Sequence, residues 1–370
     1  MHHSEKSLYQ IALTQIKGVG IALARALMQA VGDEEAIFKE TRRNLQKIPR
    51  ISPQIVDSLR SVEPLKRAEE EVEFVMKNNL RMLFFTGDEY PQRLTHCIDA
   101  PILLYAKGDA NFNRDKVISI VGTRNATRHG QQFCEKLISN ISQRHPDIQI
   151  VSGLAYGIDV CAHRAALQND LSTVAVLAHG LDRIYPYTHR KTAVEMIEDG
   201  ALLTEFPSGT NPDKHNFVKR NRIVAGMSDA VIVVESGVKG GSLITAEIAN
   251  SYFREVFAVP GRTVDTHSIG CNNLIAGNKA ILLQDVEGLL NQMGWNSSKK
   301  SAKPVQRELF LNLSEEEEKV FNALNSGEAK QVNMLAIELD TPVSELFFTL
   351  LELEMKNILL ALPGGMYKLA

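Results

Sequence analysis

The sequence predicts an α/β protein: an extended Rossmann fold with a mostly parallel sheet, preceded by a helical domain and followed by a winged helix. Three observations carry that expectation. Between Arg81 and Met293, apolar runs of four to six residues alternate with amphipathic helical segments, the pattern of doubly buried strands joined by helical crossovers. Before residue 65 the chain reads only as short helices, and after a polar stretch it reads as three helices and a hairpin. Glycine-rich loops follow several apolar runs, where an open parallel sheet carries its ligand site.

In order, residues 8–15 and Ile21–Val31 are helices joined by Ile16-Lys17-Gly18-Val19-Gly20, a SAM-like helix-hairpin-helix pattern whose turn amides suit a DNA phosphate. Ser52 is placed to cap the helix that Pro53 begins. Residues 65–79 form an acid-rich helix, and 81–86 and 102–105 are strands. Strands at 117–121, 149–152, 173–178, 202–205, 230–235 and 256–259 then alternate with helices at 129–143, 159–169, 189–198, 214 onward and 243–253, and 284–293 closes the domain. Residues 296–304, polar and proline-ended, read as a linker. Beyond it lie helices 315–324, 331–339 and 341–356 and a hairpin turning at Pro363-Gly364-Gly365. The domains expected are 1–64, 65–295 and 305–370. The third helix of the last one carries Glu345, Glu352 and Glu354 against Lys356, so it is expected to meet protein rather than duplex DNA.

Composition narrows the function. The chain has 370 residues, 23% of them charged, and a net charge of −3, which argues against indiscriminate coating of DNA but allows a focused basic groove. Cys97, Cys134, Cys161 and Cys271 lack metal-ligand spacing and read as reduced thiols of a cytoplasmic protein. No stretch approaches the roughly 20 apolar residues of a membrane span.

The chemistry gathers in four loops. Residues 214–222 pack Lys214, Lys219, Arg220 and Arg222 with Phe217 and two amides, Asn216 and Asn221; Arg offers a fork for phosphate oxygens and Phe a face for a base. Gly122-Thr123-Arg124 follows the first core strand, and Gly153 opens the loop after the second, where Asp159 is placed to cap a helix. Lys239-Gly240-Gly241-Ser242 feeds a helix N-terminus, where free amides and the helix dipole favour an anion. Neither a dinucleotide fingerprint nor a P-loop is present, so no cofactor is expected. Glu205, Glu235, Glu247 and Asp159 form no nucleophile or metal constellation and read as caps and ion-pair partners.

These motifs resemble the DprA/Smf (DNA processing protein A) family of bacterial natural transformation, over essentially the whole chain. The most specific blocks are Val121-Gly122-Thr123-Arg124, residues 151–159 with Ala162-His163, Gly180-Leu181-Asp182 with Tyr185-Pro186, residues 216–226, residues 241–246 and Val259-Pro260-Gly261. The resemblance implies a non-enzymatic homodimer, paired through its Rossmann domains, that binds single-stranded DNA, shields it from nucleases and loads the recombinase RecA. Carried over by motif, the strand contacts are Arg124, Lys214, Phe217, Arg220 and Arg222, with the Gly240, Gly241 and Ser242 amides on a phosphate. Thr123 stands where the family usually has Ser, and Val218 where it often has Pro. One alternative is an enzyme on nucleoside monophosphates, because residues 239–247 partly resemble the glycine-rich loop and Glu of the phosphoribohydrolases. A purely protein-binding scaffold is another.

Overall fold

Ser119 and its neighbours show how the sheet is built. In β3 (Val117–Val121), Val117, Ser119 and Val121 face one side while Ile118 and Ile120 face the other, all five buried. Strands wrapped on both faces must be apolar almost throughout, and burying each Ile contributes about 1.5–3 kcal/mol. The one polar member, Ser119, satisfies its hydroxyl on the carbonyl of Val224 at 2.7 Å. The computed structural model describes residues 2–295, 313–325, 329–362 and 365–370.

The main sheet has nine strands in the order β1-β2-β6-β5-β4-β3-β7-β8-β9. Besides β3 they are β1 (Arg81–Phe84), β2 (Leu103–Lys107), β4 (Gln149–Ser152), β5 (Thr173–Val176), β6 (Ala201–Thr204), β7 (Ala230–Val233), β8 (Glu255–Ala258) and β9 (Ile281–Leu282). From β6 to β9 every pairing is parallel; β1 and β2 add an antiparallel edge. Both edge strands were expected, but their antiparallel direction was not legible, because direction leaves no mark on composition, and the two-residue β9 is too short to show as an apolar run. The order reverses between β3 and β7, and a crevice opens at such a switch point above the carboxyl ends of the strands.

The helices cover both faces. Arg128–Arg144, Ile158–Gln168 and Val286–Gln292 pack on the Ile118 side. Lys214–Gly226 and Gly241–Ser251 pack on the Val117 side. The N-terminal helices share that second core: His2–Thr14, Ile21–Val31 and Pro53–Leu59 bury Ile11, Leu27 and Val56 in the same cluster as Leu104 and Val174. Ser52 caps Pro53–Leu59 as expected, accepting from the Ile55 amide at 3.3 Å. The expected boundary after residue 64 falls inside the helix Glu63–Lys77.

The C-terminal unit has its own small core around Val320, Leu335, Leu350 and Leu353. Ser314 and Glu317 close a capping box at the start of Glu315–Leu324. A short strand β10 (Lys330–Gln331), helices Val332–Glu338 and Val343–Met355, and the hairpin β11 (Leu359–Leu362) and β12 (Met366–Leu369) complete a winged-helix order. Phe347 lies 6.0 Å, centroid to centroid, from Phe253 of the main domain. The expected linker, and residues 363 and 364 of the hairpin turn, lie outside the described residues. Among the described residues no helix is long and apolar enough to cross a membrane.

Candidate nucleic-acid interface

The loops that leave β3 and β7 are fastened to each other. Thr123 donates its amide to the carbonyl of Glu235 at 2.8 Å, and the Glu235 carboxylate accepts from the Thr127 amide at 2.9 Å and hydroxyl at 2.5 Å. Thr127 in turn caps the helix Arg128–Arg144. Glu235 is thus engaged in structure, in line with its reading as a cap partner. Gly122 has no side chain because Ile158 occupies that space, and Arg124, just beyond, is exposed.

Arg124 lies over Phe217, its guanidinium carbon 4.9 Å from the ring centroid. Such a contact orients the cation, and a guanidinium on a ring leaves a flat surface that a base can stack on. Phe217 belongs to the helix Lys214–Gly226, which starts at Asp213 without a side-chain cap. At 3.6 residues per turn, Lys214, Phe217, Val218 and Asn221 share one face of it. Asn221 donates to the carbonyl of Gly241 at 3.2 Å and so ties this helix to the next loop. There Gly240 begins the helix Gly241–Ser251, again without a side-chain cap. Ser242 is buried, and its hydroxyl donates to Ser236 at 3.0 Å, so its amide rather than its hydroxyl is the group available to an anion.

The result is a groove of about 610 Å³ lined by Gly122, Thr123, Arg124, Lys214, Phe217, Arg220, Asn221, Lys239, Gly240, Gly241 and Ser242, so that every candidate residue except Gly153 and Arg222 reaches it. Its lining holds Arg124, Lys214, Arg220 and Lys239 against a single carboxylate, Asp159.

Four expectations need correction. Arg220 is not a rim cation. It is buried and donates to the carbonyls of Gly153, at 2.7 Å, and Val176. Burial, with some repulsion from Arg124, pushes its pKa down to about 10, and Asp159 opposes that shift. Gly153 correspondingly lies under the groove: a side chain there would collide with the Arg220 guanidinium. Arg222 lies about 80° around the helix from Lys214 and outside the groove lining. It pairs with the carboxylate of Glu205, which Lys219 also meets at 3.3 Å, and it lines a second cavity beside Gly18 and Arg50. Asp159 does not cap its helix; Gly157 holds that position, and Asp159 sits in the first turn, accepting from the Ala155 amide at 3.4 Å. Burial raises its pKa, while Arg220 lowers it.

One residue escaped the sequence reading. Tyr185 is exposed and its ring centroid lies 6.0 Å from that of Phe217. Its motif, Tyr185-Pro186, was visible, but nothing local showed that the loop after β5 returns to the basic helix. Glu247, the acid that a hydrolytic reading would need, lies outside the groove lining and pairs with Lys279 at 3.7 Å.

A Rossmann-like sheet with a cationic, aromatic-bearing groove at its switch point has the make-up of a site for a phosphate-bearing ligand. Comparison with known proteins is more specific. The family model described as DNA recombination-mediator protein A matches residues 81–294, and the chain belongs to that family. It is 33% identical to Protein Smf of Escherichia coli over 318 residues, covering 83% of this chain and 82% of that one. The X-ray structure of DNA processing protein A from Streptococcus pneumoniae matches with a TM-score of 0.61 at 29% identity, over 78% of this chain and 97% of that one. A structure of DNA processing protein A from Helicobacter pylori, described as showing its single-stranded DNA binding mode, matches with a TM-score of 0.53 at 28% identity, over 59% and 97%.

Proposed function

We propose that this chain is a non-catalytic recombination mediator that holds single-stranded DNA in the groove between Arg124, Lys214, Phe217 and Gly240–Ser242. In that role it protects incoming DNA during natural transformation and loads RecA onto it, working in the cytoplasm as a homodimer paired through the Rossmann domains. The observation that carries the reading is the convergence of exposed cations, uncapped helix-start amides and one aromatic ring on a single concave surface. Phosphates give such a groove its affinity without sequence preference. The Arg124–Phe217 pair adds selectivity for an unpaired strand, because only an unstacked base can lie on it. The relative from Helicobacter pylori, described by its single-stranded DNA binding mode, supports the same ligand.

The test is fluorescence anisotropy with single-stranded and duplex oligonucleotides across a salt series. Preferential, salt-dependent binding of the single strand is the expected result. Equal binding of duplex, or none at low salt, refutes the reading.

A further inference from the structure

The eight tyrosines of this chain are unevenly placed. The three that are exposed, Tyr156, Tyr185 and Tyr187, all lie in the connections that leave β4 and β5, and the Tyr185 ring approaches a groove residue, Phe217. An exposed ring next to a groove ring offers a further π-face to a ligand that enters the groove. Tyr185 is the member nearest the groove. Its ring is 59° from the plane of Phe217, too tilted for the two to stack on one another, so 45% of Tyr185 stays open to solvent.

The backbone that carries the ring is also held in place. The Tyr185 amide donates to Nε2 of the buried His179 at 3.3 Å, and Nδ1 of the same ring donates to the carbonyl of Gly180 at 2.9 Å. Those two bonds require a neutral His179 with its proton on Nδ1, and burial lowers the pKa of this ring, which favours that form. The next residue, Pro186, is buried. The nearby cation Arg183 is engaged elsewhere, bound to Asp182 at 2.7 Å and to Asn211 at 2.5 Å.

We infer that Tyr185 is a second base-stacking platform, so that a single strand leaving Phe217 continues across the loop after β5 with its base, rather than its phosphate, in contact. This rests on the groove binding single-stranded DNA. A strand taken this way gains affinity from π-faces, with no added phosphate neutralisation, and its dependence on salt is therefore unaltered by the ledge.

Oligo-dT binding by the full chain, measured across salt for wild type, Tyr185→Ala, Tyr185→Phe and Arg124→Ala, separates the possibilities. Tyr185→Ala is expected to weaken binding about fivefold or more at every salt concentration with an unchanged slope, and Tyr185→Phe to restore it. Arg124→Ala is expected to reduce the slope. Photocrosslinking of the wild-type protein to dT oligonucleotides carrying 5-iodouracil is expected to mark the peptide containing Tyr185, and it does not depend on any variant folding. Wild-type affinity in Tyr185→Ala, a lowered slope in that variant, or crosslinks confined to the Phe217 peptide would each overturn the ledge while leaving the groove standing. If Arg124→Ala too binds as wild type, the groove reading falls, and the ledge with it.

Discussion

The Arg220 guanidinium fills the space that a side chain at Gly153 would need, and it binds the Gly153 carbonyl at 2.7 Å. A cation that the sequence offers as a ligand contact thus serves as the internal brace of the loop after β4. Removing it leaves two buried carbonyls without a donor and Asp159 without its counter-charge. Arg220→Ala is expected to cost about 3 kcal/mol or more, and Gly153→Ala a comparable amount by displacing the guanidinium. Differential scanning fluorimetry would register a Tm drop of roughly 6–12 °C for each. A wild-type Tm with lost DNA binding would instead make Arg220 a direct contact.

The exposed cations behave differently. Arg124 and Lys214 line the groove and have no ion-pair partner among the described residues, so Arg124→Ala and Lys214→Ala should leave the unfolding free energy within about 0.5 kcal/mol of wild type. Each should flatten the plot of log affinity against log salt by about 0.7 for a single strand. Unchanged slopes in both would remove phosphate contact from these two side chains.

Arg222 belongs to the opposite class. Glu205 and Arg222 are paired with their side chains 8% and 11% exposed, so Glu205→Gln strands a buried guanidinium. The expected cost is about 3 kcal/mol in stability, seen as a lower urea midpoint. Arg222→Ala should leave the salt slope for oligo-dT untouched, and a slope reduced by that substitution would return Arg222 to the list of strand contacts.

Buried histidine sets a limit in acid. His163 is fully buried, bonded through Nδ1 to the Thr173 hydroxyl at 2.7 Å, and burial pulls its pKa down to about 3. Between pH 6.5 and 3 the unfolded chain therefore binds a proton that the folded chain does not. Its contribution is complete above pH 6.5 and is lost as the pH falls, at up to about 1.4 kcal/mol per unit. Chemical denaturation from pH 7 to 5 should show this decline, with a shallower slope in His163→Gln.

Much of this molecule was legible in the sequence because its determinants are local. Val117–Val121 reads as a buried strand since five successive apolar or small residues admit little else, and Ser314, with Glu317 three positions on, marks the helix that starts at Glu315. The groove residues after β3, β6 and β7 were legible as loop chemistry. What could not be read was direction around a helix relative to its neighbours. Lys214, Arg220 and Arg222 look equivalent in a basic run, and only packing decides that the first meets solvent, the second the sheet, and the third Glu205. Tyr185 was missed for the same reason, since its relation to Phe217 spans 32 positions of chain.

The clasp of Glu235 on Thr123 and Thr127, with Asn221 on Gly241, has a kinetic corollary. The walls of the crevice are already in place before a ligand arrives, so little ordering of the protein is left for the moment of contact. Capture should then proceed at a rate set by diffusion and charge, and the lifetime of the complex, not its formation, becomes the quantity that sequence changes along the rim adjust.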